Sequence, residues 1–266
     1  MVDLRPYTAL LRGQARSLMS YRASFVLELS TNVFATVMDV LTVLVLFRVS
    51  RTVGGFTLHE ALLVVGLSSC AFAAADLVVG NIERIKFYVR TGMLDAVLVR
   101  PLGALPQLLL MDLPLRKFSR CVFGTGVLAV AAATAGIDWT PARVSLVVVA
   151  PLAGVVFFSA IFVVSAAVAF WWIDTGELGN AFTYGGRDFT SYPITVYSGW
   201  FRRLFAYGMG FAFVSYYPAL ALLGRPDPLG LPDWVGYAAP SAAVVAAAAA
   251  AAVWRVGIRH YRSTGS

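Results

Sequence analysis

Three carboxylates interrupt long apolar runs, and they are the residues best placed to do chemistry. Glu28 and Asp39 lie in the first run, and Asp76 lies in the second. A carboxylate facing lipid is costly, so each should face a helix bundle, a partner protein or a polar cavity. Asp39 lies nearest the middle of its run and is the best candidate for a transport pathway. For Glu28 and Asp76, a place near the headgroups beside arginines is the simpler interpretation.

The sequence lacks the common catalytic and nucleotide-binding motifs. It has no GxxxxGK[ST] loop to hold nucleotide phosphates, no GxSxG turn for a serine nucleophile and no HExxH pair for a metal. Its histidines, His59 and His260, lie near the ends of different apolar runs, and the cysteines, Cys70 and Cys121, suggest neither a disulfide framework nor a metal cluster. We therefore expect no catalytic, cofactor-binding or metal site in this chain.

The composition is that of a membrane protein. Of 266 residues, 59% are hydrophobic and 13% are charged, with a mean hydropathy of +0.76, whereas soluble domains are about 45–50% apolar and 25% charged. The net charge of +7 comes from cations clustered between the apolar runs, which is typical of membrane loops. It does not indicate a nucleic-acid partner.

The apolar runs predict an all-α, polytopic membrane protein with six transmembrane helices in a single domain, residues 1–266. A span needs roughly 20 apolar residues. Hydropathy favours 204–223 as the fifth span, but a second option makes 171–190 a polar span followed by two half-helices that dip in from the outer face and return. The other five runs are approximately 23–47, 61–80, 122–135, 144–172 and 238–254.

Arginines indicate the orientation, because short cytoplasmic loops carry the excess of Lys and Arg. Placing both termini in the cytoplasm puts most of the cations inside, including those of the basic segment 81–120 and of the C-terminal tail. Residues 1–22 have the spacing of an amphipathic helix, with arginines beside an apolar stripe. Such a helix suits the cytoplasmic lipid headgroups, although an ordinary solvated helix would show the same pattern.

The segment 81–120 contains a short amphipathic helix between spans two and three. Gly92 can end this helix, and Pro101 stops the turn that follows, because proline lacks the N–H and restricts the residue before it. A helix held at the membrane face by two spans can transmit a push from a soluble partner. It can also be a plain connector. The apolar residues at helical spacing are Ile82, Ile85, Tyr88 and Val89.

Three stretches resemble the bacterial ABC type-2 permease family. They are GMLDAVLVRPL at 92–102, SYPITVYSGWFRRLFAYGMGFAFVSYYPALALLGR at 191–225 and the tail VWRVGIRHYRSTGS. The branch that they resemble most pairs two dissimilar permeases with a separate ATPase. The pattern that carries the resemblance consists of Gly92, Leu94, Asp95, Leu98, Arg100 and Pro101.

This resemblance implies a subunit of an exporter in the bacterial inner membrane, paired with a second permease, identical or dissimilar. Two ATPase subunits would bind ATP and magnesium, and segment 82–100 would contain the coupling helix that docks on them. The resemblance also favours outer re-entrant half-helices within 191–223, flanked by Pro193 and Pro218, with Arg202 and Arg203 toward the outer surface. Tyr192 and Trp200 belong to the same segment.

Two other functions compete with this one. An ion-gradient-driven secondary transporter would use Asp39 or Glu28 as its ion site, but the sequence shows no convincing inverted repeat. A membrane-embedded lipid-modifying enzyme would need a nucleophile or an acid/base set, which the sequence does not offer.

Overall fold

The computed structural model describes residues 22–100, 103–110, 117–172 and 176–261. Helices dominate these ranges, and the one β-bridge found in them joins Val53 to Phe56. In chain order the α-helices are α1 (Arg22–Val49), α2 (Leu58–Val79), α3 (Ile85–Arg90), α4 (Met93–Leu98), α5 (Ala104–Leu110), α6 (Phe118–Thr134), α7 (Pro141–Ala167), α8 (Gly176–Thr190), α9 (Gly199–Arg202), α10 (Tyr216–Leu223) and α11 (Ala239–His260).

Shorter helical turns join these elements. Segments Gly80–Arg84, Val168–Phe170, Ile194–Val196, Phe211–Phe213 and Asp233–Tyr237 are 3₁₀ turns, and Arg203–Gly208 is a π-helix that continues α9.

Local sequence signals explain where two long helices begin. At the start of α2, the backbone N–H of Thr57 donates to Glu60 Oε2 at 2.8 Å, as in a capping box. At the start of α7, Thr140 Oγ1 accepts the N–H of Arg143 at 3.3 Å, and Pro141 occupies the first turn, where its missing N–H costs nothing. Both helices therefore start at the polar residues that precede apolar runs.

Several helices have the length and composition of membrane spans. Among the described residues, Leu58–Arg90, Pro141–Phe170 and Ala239–His260 are long and apolar enough to cross a bilayer, and the bent pair Gly199–Gly208 and Phe211–Leu223 would add a fourth if it were one span. With 28 residues, α1 is about 42 Å long at 1.5 Å per residue. The all-α membrane fold expected from the sequence is confirmed.

Small residues bring the central helices close together. A Cβ on Gly66 of α2 would lie 2.7 Å from Leu128 Cα of α6, and one on Gly154 of α7 would lie 2.6 Å from Ala71 Cβ of α2. In lipid, helices associate through such close backbone approach, because lipid tails are as apolar as the side chains. The result is a bundle with α2 between α6 and α7, and with α11 against the other side of α7.

The bundle has two distinct ends. Its hairpin end carries the turn Ser50–Thr57 between α1 and α2, and its loop end carries the segment Gly80–Leu110. The end of α7 and the end of α11 also meet at the loop end, where Phe170 packs against Trp254 at 5.2 Å and Trp171 stacks on His260 at 5.9 Å.

Residues 176–195 traverse the bundle from the loop end to the hairpin end. Thr183 donates to Ser165 near the end of α7, at 3.2 Å, and Thr190 bonds to Ser68 in the middle of α2, at 2.6 Å. Thr195 Oγ1 then donates to the carbonyl of Gly54 at 2.6 Å. This path corresponds to the second sequence-based option, in which the polar segment 171–190 crosses.

The chain after Thr195 enters the bundle and comes back to the same end. Phe211 packs on Phe157 in the middle of α7, with ring centroids 5.4 Å apart. Arg225 lies at the hairpin end again, where its guanidinium bonds Glu60 Oε2 at 2.8 Å and the Gly55 carbonyl at 3.1 Å. The contacts thus describe a hairpin of two half-helices between Thr195 and Arg225.

A continuous helix over 204–223, which hydropathy favours, does not form. The chain bends by 62° between its two halves, and Gly210 has φ +82°, a left-handed conformation that favours glycine. Pro218 lies within the first turn of α10 and does not flank the half-helix. A proline there is compatible with the helix, because the first-turn N–H groups have no partner inside it.

The close helix contact at Gly66 can be tested by measuring how a substitution there changes the stability of the protein. Gly66→Ala should lower the free energy of unfolding by about 1–3 kcal/mol, the usual cost of overpacking, because the added methyl meets the Leu128 backbone. Gly126→Ala on α6 is the control, since a Cβ there meets nothing within 4 Å. Thermal unfolding in detergent measures both, and equal melting temperatures would contradict the close crossing.

Candidate functional site

A buried ion cluster joins α2 to α6 at the loop end. Asp76 is fully buried, with Lys117 Nζ 2.5 Å from its Oδ1 and Arg120 Nη1 3.5 Å from its Oδ2. A buried carboxylate is stable only when it is paired in this way. Asp76 therefore has the cationic partners that the simpler interpretation of the sequence expects, although one of them is a lysine.

A polar crevice lies beside this cluster, between α1, α2, α6 and α8. It contains two adjoining chambers, the first of about 160 Å³ and the second of about 280 Å³. Val65, Ser69 and Arg187 line both chambers. The first is completed by Val40, Phe72, Ala73, Arg120, Gly124, Val127 and Tyr184, and the second by Thr42, Val43, Asp188, Ser191 and Tyr192.

Arg187 lies on the wall shared by the two chambers. Its guanidinium carbon is 5.7 Å from the centroid of the Phe72 ring, which is cation–π distance. Phe72 lies one turn beyond Ser68, the residue of α2 that bonds Thr190. The cation is therefore held within the length of the bundle and not at one of its ends.

Sequence reasoning missed the residues that line this crevice. In the sequence-based prediction, Arg187 and Asp188 lie only within the polar span option 171–190, and Arg120 only within the basic segment 81–120. A usable signal was present, because polar residues of α8 recur at helical spacing and so share one face. They are Tyr184, Arg187 and Asp188, with Ser191 just past the end of the helix.

The segment at the loop end presents two contrasting faces. Its inner face packs into the hydrophobic core with Ile82, Ile85, Tyr88, Val89, Leu94 and Val97. Its outer face is exposed and combines apolar side chains with arginines: Arg84, Phe87, Arg90, Met93, Leu98, Val99 and Arg100. We call this outer face the loop-end face. Gly92, with φ +69°, makes the turn between α3 and α4.

Further contacts tie this segment to neighbouring elements. Gln107 of α5 donates to the Val97 carbonyl at 3.3 Å. Burial and the neighbouring Asp95 carboxylate raise the pKa of Tyr261, which follows α11. The segment that bears the loop-end face is therefore tied to α5 as well as to α2, and its Asp95 lies near Tyr261.

Comparison with protein families identifies the chain. Residues 33–265 match the family described as ABC-2 family transporter protein. The chain belongs to this family. It is the transmembrane subunit of an ABC transporter, of a kind that is generally non-catalytic, associates with an ABC ATPase and crosses the membrane more than once. No curated protein and no solved structure matches it.

In this permease, the residues predicted for ATPase coupling divide between the two faces of the loop-end segment. Ile82, Ile85, Tyr88 and Leu94 are buried within the chain itself, whereas Leu98 and Arg100 are exposed. Phe87, Met93 and Val99 also face outward, and the sequence analysis did not single them out. The spacing of apolar residues indicates the face of a helix that packs against its own protein. The face available to a partner protein is therefore the opposite one.

The residues predicted for the re-entrant segment lie in several environments. Pro193 and Pro218 are buried, and Tyr192 lines the second chamber. Trp200 and Arg203 are exposed, whereas Arg202 is half-buried.

Some predictions fall outside the described part of the permease. They concern the interfacial helix at 1–22, apart from Arg22, which begins α1, and the stop at Pro101. The backbones of Glu28 and Asp39 belong to α1, but their side chains are outside the described part. Their roles stay predictions.

Removing the Asp76 carboxylate should destabilise the permease. Asp76→Asn removes the carboxylate that pairs with Lys117 and Arg120, and breaking a buried pair costs about 3 kcal/mol or more. Thermal unfolding in detergent measures the loss, and Asp76→Asn/Lys117→Met should recover part of it. Asp138→Asn is the control, because Asp138 is 98% exposed in its pair with Arg143 and should matter little. Equal stabilities of the two single variants would contradict the buried pair.

Proposed function

We propose that this permease is an exporter subunit, driven by a separate ATPase that docks on the loop-end face. The proposal rests on the two faces of the short segment at the loop end. Its inner face is buried against the bundle, and its outer face is exposed. Val99 is 86% exposed on that face, beside arginines that suit an acidic partner surface. Exposed apolar residues rimmed by polar ones are typical of protein interaction sites.

The segment is well placed to pass motion into the bundle. The helical path from Leu58 to Arg90 is 33 residues long, about 50 Å at 1.5 Å per residue. It leads from the loop-end face to Ser69 and Phe72 in the crevice wall. A push on α3 would pass through the 3₁₀ turn Gly80–Arg84 and α2 to the crevice. Asp95 of α4 lies near Tyr261, which follows α11.

The crevice supports a substrate pathway next to a second permease. The pathway would lie at the interface between the two permeases, with α1, α2 and α8 along it. Each of these three helices lines the crevice. The described side chains of α1 are mostly exposed and apolar, which leaves this helix available to a second copy or a dissimilar partner. Two ATPase subunits would bind ATP and magnesium below the pair.

For the membrane topology we infer six spans, with both termini in the cytoplasm of a bacterial cell and the hairpin end outside. The spans are α1, α2, α6, α7, α8 and α11, and the half-helices between Thr195 and Arg225 form an outer re-entrant hairpin. Contacts of both ends of this hairpin with Gly54, Gly55 and Glu60 support the assignment. Irregular backbone at membrane depth is tolerated where protein covers it, as it covers the largely buried second half of the hairpin at 211–220.

An ion-gradient-driven mechanism has less support. Asp76, the one carboxylate of the three whose side chain is described, is held by Lys117 and Arg120 and so is already neutralised. Transport that survives ATP depletion but collapses with an ionophore would favour that mechanism over the exporter.

Docking on the loop-end face can be tested with one substitution. Val99→Asp should reduce co-purification of the ATPase and transport-linked ATP hydrolysis by at least about tenfold, a loss of about 1.4 kcal/mol, because it puts a charge in the apolar part of the face. Val49→Asp is a matched control, since Val49 is 87% exposed at the hairpin end. If Val99→Asp behaved like Val49→Asp, the docking site would lie elsewhere.

The topology can be tested with single cysteines in a Cys70→Ala/Cys121→Ala background. A membrane-impermeant maleimide should label Val196→Cys and Thr52→Cys in intact cells, because both positions lie at the hairpin end and are exposed. Thr91→Cys, at the loop end, should react only after permeabilisation. Labelling of Val196→Cys only after permeabilisation would instead make the bent pair a single span.

A further inference from the structure

We propose that the first chamber of the crevice binds the anionic headgroup of an amphipathic molecule, which is the cargo class of this transporter. The inference rests on the proposed function and names the substrate for the same pathway. Its basis is the lining of the chamber, where two guanidinium groups, those of Arg120 and Arg187, meet an otherwise largely apolar wall.

Placing guanidinium groups at this position is costly without a function. A cation inside a span is rare, and it usually marks a substrate or ion pathway. Arg187 lies beside Phe72 within the bundle, away from both ends. A guanidinium has five N–H donors in a planar fork that fits carboxylate and phosphate oxygens. One guanidinium can therefore bind a protein group and a ligand at the same time.

The charges around the crevice favour the first chamber as the anion site. Arg120 is 3.5 Å from Asp76, which already takes Lys117 at 2.5 Å, so this carboxylate is shared between two cations. Asp188 lines the second chamber together with Arg187 and offsets the positive charge there. The described lining of the first chamber contains two charged residues, Arg120 and Arg187, and both are cations.

The size and the neutral lining indicate an amphipathic ligand. A cavity of about 150 Å³ holds a benzene molecule, so a chamber of about 160 Å³ has room for a headgroup and its first carbons. Ser69 adds a hydroxyl group, and the hydroxyl of Tyr184 is hydrogen-bonded to the Glu83 carboxylate. The remaining wall is apolar, with Val65 and Phe72 among its residues. The second chamber, of about 280 Å³, continues the space past Arg187. A small inorganic anion would leave this apolar wall unused.

The test measures binding of radiolabelled hexadecanoate to the immobilised permease–ATPase complex. Unlabelled competitors share the hexadecyl chain and differ in the headgroup: hexadecyl phosphate, hexadecanol and hexadecyltrimethylammonium. We expect saturable binding that hexadecanoate and hexadecyl phosphate displace, and that the alcohol and the cation do not. The relative potency of the carboxylate and the phosphate then tells which anion is preferred.

Arg187→Gln should weaken hexadecanoate binding by about tenfold or more, the loss of one charge-assisted contact of roughly 1.4 kcal/mol. Arg187→Lys should retain part of the affinity, because it keeps the charge without the fork. Arg203→Gln removes an exposed arginine outside the chamber and should bind like the original protein. Each variant is first required to elute as the intact complex, so a folding defect is not read as lost binding.

Three results would overturn the inference: no saturable binding, displacement by hexadecanol or the cation as strong as by the anions, or an Arg187→Gln variant that binds as Arg203→Gln does. Binding is read without ATP hydrolysis. If Val99→Asp lowers ATP hydrolysis as expected but the original complex binds no hexadecanoate, only this inference is overturned. Saturable hexadecanoate binding by the permease purified alone, with no ATPase co-purifying, would overturn only the proposed function.

Discussion

In lipid, every backbone N–H and C=O group needs a partner within the protein, and this requirement shapes the permease. Long helices satisfy it by themselves, so α2, α7 and α11 can tolerate lipid on one side. The broken segment between Thr195 and Arg225 cannot. It is accommodated because its second half, Phe211–Leu223, packs among α2, α7 and α8, with Phe211 against Phe157. Both of its ends are also bonded to the turn between α1 and α2.

Because the bilayer core contains no water to bond polar groups, the same requirement for partners within the protein explains where the polar side chains lie. Asp76 is stable in the interior because Lys117 and Arg120 reach it from α6, and Thr190 and Ser68 satisfy each other across α8 and α2. Each of these contacts also fixes one helix against another. Polar residues in this bundle therefore set the relative positions of helices whose apolar surfaces alone would specify them poorly.

The two ends of the molecule differ in how their surfaces can be used. At the hairpin end, Arg225 bonds Glu60 and Gly55 and so ties the two half-helices to the hairpin formed by α1 and α2. At the loop end, buried residues such as Leu94 and Val97 hold a short segment against the bundle, and its other face is left exposed. A soluble ATPase that moves a membrane helix would need such a segment, with one face packed firmly on the bundle and the other face exposed.

The sequence by itself determined the helical membrane class, most of the long helices and the turn at Gly92, because apolar runs, caps and glycine act locally. Helix α11 extends to His260, beyond the apolar run that predicted it, because its basic last residues are still compatible with a helix. Only the tertiary structure decided that the polar helix α8 crosses the bundle, that the apolar stretch 204–223 breaks at Gly210, and that Arg187 and Arg120 line one chamber. These features depend on contacts between residues far apart in the chain, such as Thr190 with Ser68 and Arg225 with Glu60, and no local pattern encodes them.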